Sequence, residues 1–136
     1  MNLAKPSEVG RTSLDNVLEQ MRSRLEEGIK QRLSGLQGVV VKPVYNSMMP
    51  LHVEMFLAPE THAFVFLKDG LVELSHGASS NVDVRIESDA QTFMRLFKNP
   101  SAELFKELED QGKIRITSLT KKGKDAEGYV RKYLTG

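Results

Sequence analysis

The sequence predicts an α+β fold in one small domain, and three patterns carry that expectation. Apolar residues at helical spacing run from Leu14 to Leu33. Alternating apolar and polar residues fill much of the stretch from Leu51 to Glu87. Two short apolar-faced helices then lie between Asp89 and Gln111. Periods of 3.6 and of 2 residues, each in its own block, separate helix from strand. At 136 residues the chain is a common size for one domain and short for two. We expect a flexible arm over residues 1–11, with Pro6 and Gly10 and no periodicity, and one domain over 12–136.

Thr12 or Ser13 is the expected cap of the first helix. Leu14, Val17, Leu18, Met21, Leu25, Ile29 and Leu33 draw one stripe along it, and Gly35 and Gly38 end it. Val39 to Val44 is rich in β-branched residues and looks like a strand, but Pro43 lacks a backbone donor, so the segment belongs at an edge or is not regular strand at all. Met48 and Met49 lie in the connection that follows. Leu51 to Leu57 alternates, with Leu51, Val53, Met55 and Leu57 on one face and His52, Glu54 and Phe56 on the other. His62 to Lys68 and Leu71 to His76 form a hairpin through Asp69-Gly70, residues that tolerate the positive φ a tight turn requires. This hairpin is apolar on both faces, unlike a sheet with one solvated side. Val82, Val84 and Ile86 alternate with Asp83, Arg85 and Glu87 in a half-buried strand.

Ser88 with Gln91 reads as a capping box for the next helix. That helix carries Phe93, Met94, Leu96 and Phe97. Asn99-Pro100 stops it and opens another with Leu104, Phe105 and Leu108, closed by Gly112. A strand at Lys113 to Thr117 and a helix at Lys122 to Leu134 complete the chain. An apolar stripe on a helix usually means core packing. Mixed aromatic and methionine packing also lines adaptable cavities.

The bulk chemistry excludes several functions. Formal net charge is +1, against the strongly basic balance of nucleic-acid binders. There is no cysteine, hence no disulfide, thiolate ligand or cysteine nucleophile. Met1 to Arg11 has no apolar leader, and no run reaches membrane-spanning length, so cytoplasm is the expected location and no stable membrane insertion is expected. Of the three histidines, His52 shares a strand face with Glu54, a possible but incomplete ligand pair. His62 and His76 sit near strand ends without evident supporting ligands, so no metal and no cofactor are expected. Lys121, Lys122, Gly123 and Lys124 fail the phosphate-loop pattern, with Ser118 where Gly is needed and Asp125 where Ser or Thr is needed. A solvated basic turn entering a helix is the simpler reading, and a contact to an anionic headgroup the other. Adjacent acids such as Glu26-Glu27 do not face one another on a helix, and no serine stands in a nucleophile elbow. Nothing here argues for catalysis.

From Leu51 to Leu134 the chain resembles the type-two sterol carrier protein family. The residues that carry this are Asn81-Val82-Asp83-Val84-Arg85-Ile86-Glu87-Ser88-Asp89, then Phe93, Leu96 and Phe97, then Leu104, Phe105, Gly112, Lys113, Ile114, Arg115 and Ile116. The family usually continues its last strand with Gly-Asp, where this chain has Thr117, Ser118, Leu119 and Thr120. The resemblance implies a five-stranded, mainly antiparallel sheet with helices packed on one face and an apolar tunnel between them. It implies a non-catalytic protein that binds and transfers or presents a fatty acyl chain, acyl-CoA, sterol or isoprenoid lipid. The residues then expected at the tunnel are Phe93, Phe97, Leu104, Phe105 and Leu108, with Phe56, Phe64 and Phe66 from the sheet and Tyr129 and Tyr133 from the last helix. A second expectation is a filled core in a module for dimerisation or for docking to a partner enzyme. An enzymatic reading would rest on His52 and Glu54 alone.

Overall fold

The structure, a computed structural model, describes the backbone of residues 6–135 and the side chains of residues 14–135. Helix α1, Pro6–Leu33, starts ahead of the expected cap at Thr12 or Ser13. Residues 1–5 of the expected arm lie outside the described residues. Gly35 ends α1 in the left-handed region, with φ of 76°. The chain turns helical again at once, in α2, Gly35–Met48.

Helix α2 corrects the expected strand at Val39 to Val44. β-Branching was the only strand signal there, without alternation, and such propensity yields to packing. Gly38, Tyr45 and Met48 recur at helical spacing on the inner side, where Gly38 is buried and the other two half-buried. Gly38 does not end a helix. It lets α2 touch the last turn of α1, because a Cβ there would collide with the Leu33 carbonyl. Asn46 secures the far end of α2: its Oδ1 accepts from the Asp69 N–H at 2.9 Å, and its Nδ2 donates to the Asp69 carboxylate at 3.2 Å.

Five strands form one sheet in the order β3-β2-β1-β4-β5. They are β1 Leu51–Ala58, β2 Glu60–Phe66, β3 Val72–His76, β4 Val84–Asp89 and β5 Arg115–Ser118. β1 runs parallel to β4, and the other neighbours are antiparallel. Asp69 and Gly70 turn the β2–β3 hairpin with φ of 63° and 82°, as the Asp-Gly pair requires. Register puts Leu51, Val53, Met55, Phe64, Phe66, Val72, Val84, Ile86 and Ile116 on one face. With Leu14, Leu18 and Met21 of α1, that face builds the core. The opposite face carries His52, Glu54, Phe56, Ala63, Val65 and Arg85.

Helices α3, Ala90–Lys98, and α4, Ala102–Asp110, form the expected pair. Both begin later than expected, α3 by one residue and α4 by two. The Asp89 carboxylate, not Ser88, accepts from the Thr92 N–H at 2.7 Å. Ser101, rather than Pro100, opens α4 by accepting from the Leu104 N–H at 3.2 Å. Gly112 ends α4 with φ of 72°. Helix α5, Lys121–Thr135, begins in the lysine cluster. Thr120 Oγ1 caps it by accepting from the Gly123 N–H at 2.9 Å. Lys121, Lys122 and Gly123 are thus the first turn of a helix.

The sheet edge at β3 is held by α1. The Val72 N–H donates to the Glu26 carboxylate at 2.9 Å, and the Arg22 guanidinium donates to the Val72 carbonyl at 3.2 Å. These bonds occupy backbone groups that an edge strand otherwise leaves open to another chain.

Candidate apolar binding site

The apolar stripe of α1 crosses α3 near the end of α5, and the three helices leave a cleft of about 190 Å³. Met21 and Arg24 of α1 form one wall. Phe93, Leu96 and Phe97 of α3, with Pro100 behind them, form the second, and Tyr133 and Leu134 of α5 the third. Phe93, Leu96, Met21 and Leu134 are buried and make its floor. Phe97 and Tyr133 are half-buried at the rim. One cation marks the mouth: the Arg24 guanidinium lies 5.4 Å from the centre of the Phe97 ring. Burial pushes the Tyr133 phenol above its ordinary pKa, with Arg24 opposing, so the hydroxyl stays neutral at physiological pH.

The sequence-derived residues divide by position. Phe93, Phe97 and Tyr133 meet at the cleft. Phe64 is buried in the core on the sheet. Phe105 and Leu108 are also buried there, and Leu104 and Phe66 pack against them half-buried. Two residues stand apart. Phe56 lies on the opposite face of the sheet, because it alternates with Met55 and Leu57, and it is 38% exposed. Tyr129 is 72% exposed, one turn before Tyr133 on the outer side of α5. Met21, Arg24, Leu96, Pro100 and Leu134 were not foreseen as site residues. Met21 was legible as part of the α1 stripe, but periodicity does not say which helix α1 crosses. Arg24 sat among charged surface positions and carried no signal.

His52 and Glu54 do not pair. The Glu54 carboxylate accepts from Arg85 Nε at 2.7 Å, across the parallel β1–β4 register. Asp83, adjacent to that strand, is buried and joins four segments. Its Oδ2 accepts from the His52 N–H at 2.9 Å and its Oδ1 from the Thr120 hydroxyl at 2.7 Å. Its backbone N–H donates to the His52 carbonyl, and its carbonyl accepts from the Leu119 N–H. Thr120, which stands in the stretch that departs from the Gly-Asp pattern, therefore ties β5 and α5 to β1 and β4.

No family model and no curated protein matches this sequence. Among solved structures, sterol carrier protein 2 like 2 from Aedes aegypti superposes with a TM-score of 0.55. It is 13% identical, and the match covers 90% of this chain and 96% of that one. The chain has the sterol carrier protein fold. A UbiJ-SCP2 ubiquinone synthesis protein matches at a TM-score of 0.47 and 9% identity, over 84% of this chain and 98% of that chain. The sec-alkylsulfatase Pisa1 from Pseudomonas sp. matches at a TM-score of 0.42 and 13% identity, over 58% of this chain and 12% of that chain. Among the described residues, no helix of this sterol-carrier-like chain is long and apolar enough to cross a membrane.

Proposed function

We propose that this chain binds an apolar ligand with an anionic end, of the fatty acyl class, between α1, α3 and α5, and carries or presents it without chemistry of its own. The observation that carries this reading is an apolar cleft with Arg24 at its mouth. The fold supports it, since its structural neighbour is named a sterol carrier protein. Each methylene taken from water into the cleft contributes about 0.8 kcal/mol, so binding needs no polar motif beyond one charge for the head. At about 190 Å³ the cleft is smaller than sites that enclose a whole ligand, commonly about 300–1,000 Å³. It receives one end of an acyl chain as it stands. Deeper entry requires the half-buried Met94, Phe97 and Leu104 to move outward with α3 and α4.

Native mass spectrometry of gently purified protein, with displacement of a fluorescent fatty acid, tests the proposal. Phe97→Glu places a charge on the wall and should weaken fatty-acid binding by more than about 10-fold, a loss above 1.4 kcal/mol. Arg24→Gln should weaken it only about 2- to 5-fold, as an exposed ion pair does, and leave a fatty alcohol unaffected. No ligand mass and no displacement, in a chain whose circular dichroism shows it folded, would exclude this function.

One observation favours a second reading, a dimerisation or docking module. The outer face of α2 exposes Leu36, Val39, Val40 and Val44, at 92%, 74%, 73% and 60%. Apolar surface grouped in this way commonly marks an interaction site. A chain that is dimeric by light scattering, loses the dimer on Val40→Lys and binds no fatty acid would support this reading over the first.

A further inference from the structure

His62 and His76 are direct cross-strand partners in β2 and β3, on the face that α1 covers. Their rings stand at 77°, and the two Nδ1 atoms are 2.9 Å apart. Asp15 of α1 reaches the same point, so that one donor atom from each of the three residues lies within 4.8 Å of the others. His62 is buried, Asp15 half-buried and His76 exposed. We propose that His62, His76 and Asp15 form a binding site for a divalent transition-metal cation such as Zn²⁺, with a fourth position open to water on the His76 side.

The donor set decides the class of ion. Two imidazoles and one carboxylate suit zinc and its first-row neighbours, whereas calcium and magnesium take oxygen. The spacing of the two imidazoles is also close to what the metal needs, and the Asp15 carboxylate, within 4.8 Å, closes in to complete the set. Zinc–nitrogen bonds of about 2.0–2.1 Å in a tetrahedral site put two imidazole nitrogens about 3.3 Å apart. The rings therefore open by only about 0.4 Å from their present contact. The Glu60 carboxylate lies 3.4 Å from His62 Nε2, close enough to become the outer partner of an Nε2–H tautomer whose Nδ1 ligates the metal. With His62 as the Nε2–H tautomer, His76 Nδ1–H is the donor to His62 Nδ1 in the metal-free pair. On binding, that proton leaves to solvent and the exposed Nε2 of His76 takes one up.

The test uses the whole chain, stripped with chelator and titrated with Zn²⁺ by calorimetry and with Co²⁺ by visible absorption. The expected result is one Zn²⁺ per chain and the intense visible band of a low-symmetry, four-coordinate Co²⁺ site. His76→Ala and Asp15→Asn, both at positions with solvent access, should each weaken Zn²⁺ binding by about 10-fold or more. His52→Ala should leave it unchanged, and circular dichroism should show each variant folded. Wild-type affinity in the folded His76→Ala or Asp15→Asn variant, or an equal loss in His52→Ala, overturns the assignment.

Discussion

Asp83 shows how much one residue can hold. Its carboxylate and backbone together join the start of β1, the entry to β4, the end of β5 and the cap of α5. Asp83→Ala leaves the His52 N–H and the Thr120 hydroxyl without their acceptor. Hydrogen bonds to a buried charged group contribute about 1.5–3 kcal/mol each, so chemical denaturation should show a loss of about 3 kcal/mol or more. An alternating strand pattern counts Asp83 with the outward polar residues, and only the tertiary contact between the β1 and α5 ends reverses that. Glu26 is a second residue whose role lies outside its own helix. The Val72 N–H is the main reason its carboxyl sits below the ordinary value, with Lys30 and Arg22 adding to the shift against the cost of burial. A carboxylate whose folded pKa is depressed stabilises the fold fully above its unfolded value, near 4.3, and this is lost as pH falls through the folded value. Glu26→Gln should therefore lower stability at neutral pH, and the gap to wild type should close below about pH 4. Thermal melts across that range measure it.

At the scale of elements, the strands were the most legible part. Alternation from Leu51 to Leu57 and the Asp-Gly turn gave pairing and faces that match the register of β1, β2 and β3. The parallel β1–β4 pairing was not legible, because alternation gives the buried face of a strand and not its neighbour. Helix α2 was misread because three consecutive valines carry strand propensity, while the decisive contact is Gly38 against the end of α1. A second glycine contact fixes α5. A Cβ at Gly123 would collide with the Asp83 carbonyl, so the first turn of α5 lies directly on the entry to β4. Gly123→Ala should cost about 1–3 kcal/mol through forced displacement. Gly128, in the same helix, has open space around its Cβ position. Gly128→Ala should instead add about 0.5–1 kcal/mol, by removing the entropy cost of glycine in a helix. If the two substitutions shift the unfolding midpoint alike, the close approach at Gly123 is wrong.

Across the whole molecule, one face of the sheet supports every layer of the core, and the cleft opens where α1, α3 and α5 meet above it. Of the helix pair between Asp89 and Gln111, legible as two apolar-faced helices, α3 lines the cleft and α4 packs into the core. The partner of α3 in α1 was not legible, since long-range crossing leaves no local signal. Phe56 and Tyr129 lie away from the cleft for the same reason: their type suited an apolar site, but their faces point elsewhere. The proposed function rests on apolar burial and one cation, and such a site would leave no catalytic signature in the sequence. The most direct measurement is an NMR titration of the labelled chain with a long-chain fatty acid. Saturating shifts at one ligand per chain, centred on Met21, Arg24, Phe93, Phe97 and Tyr133 and sparing Phe56, are the predicted result. No shifts, or shifts confined to Leu36, Val39, Val40 and Val44 of α2, would contradict it.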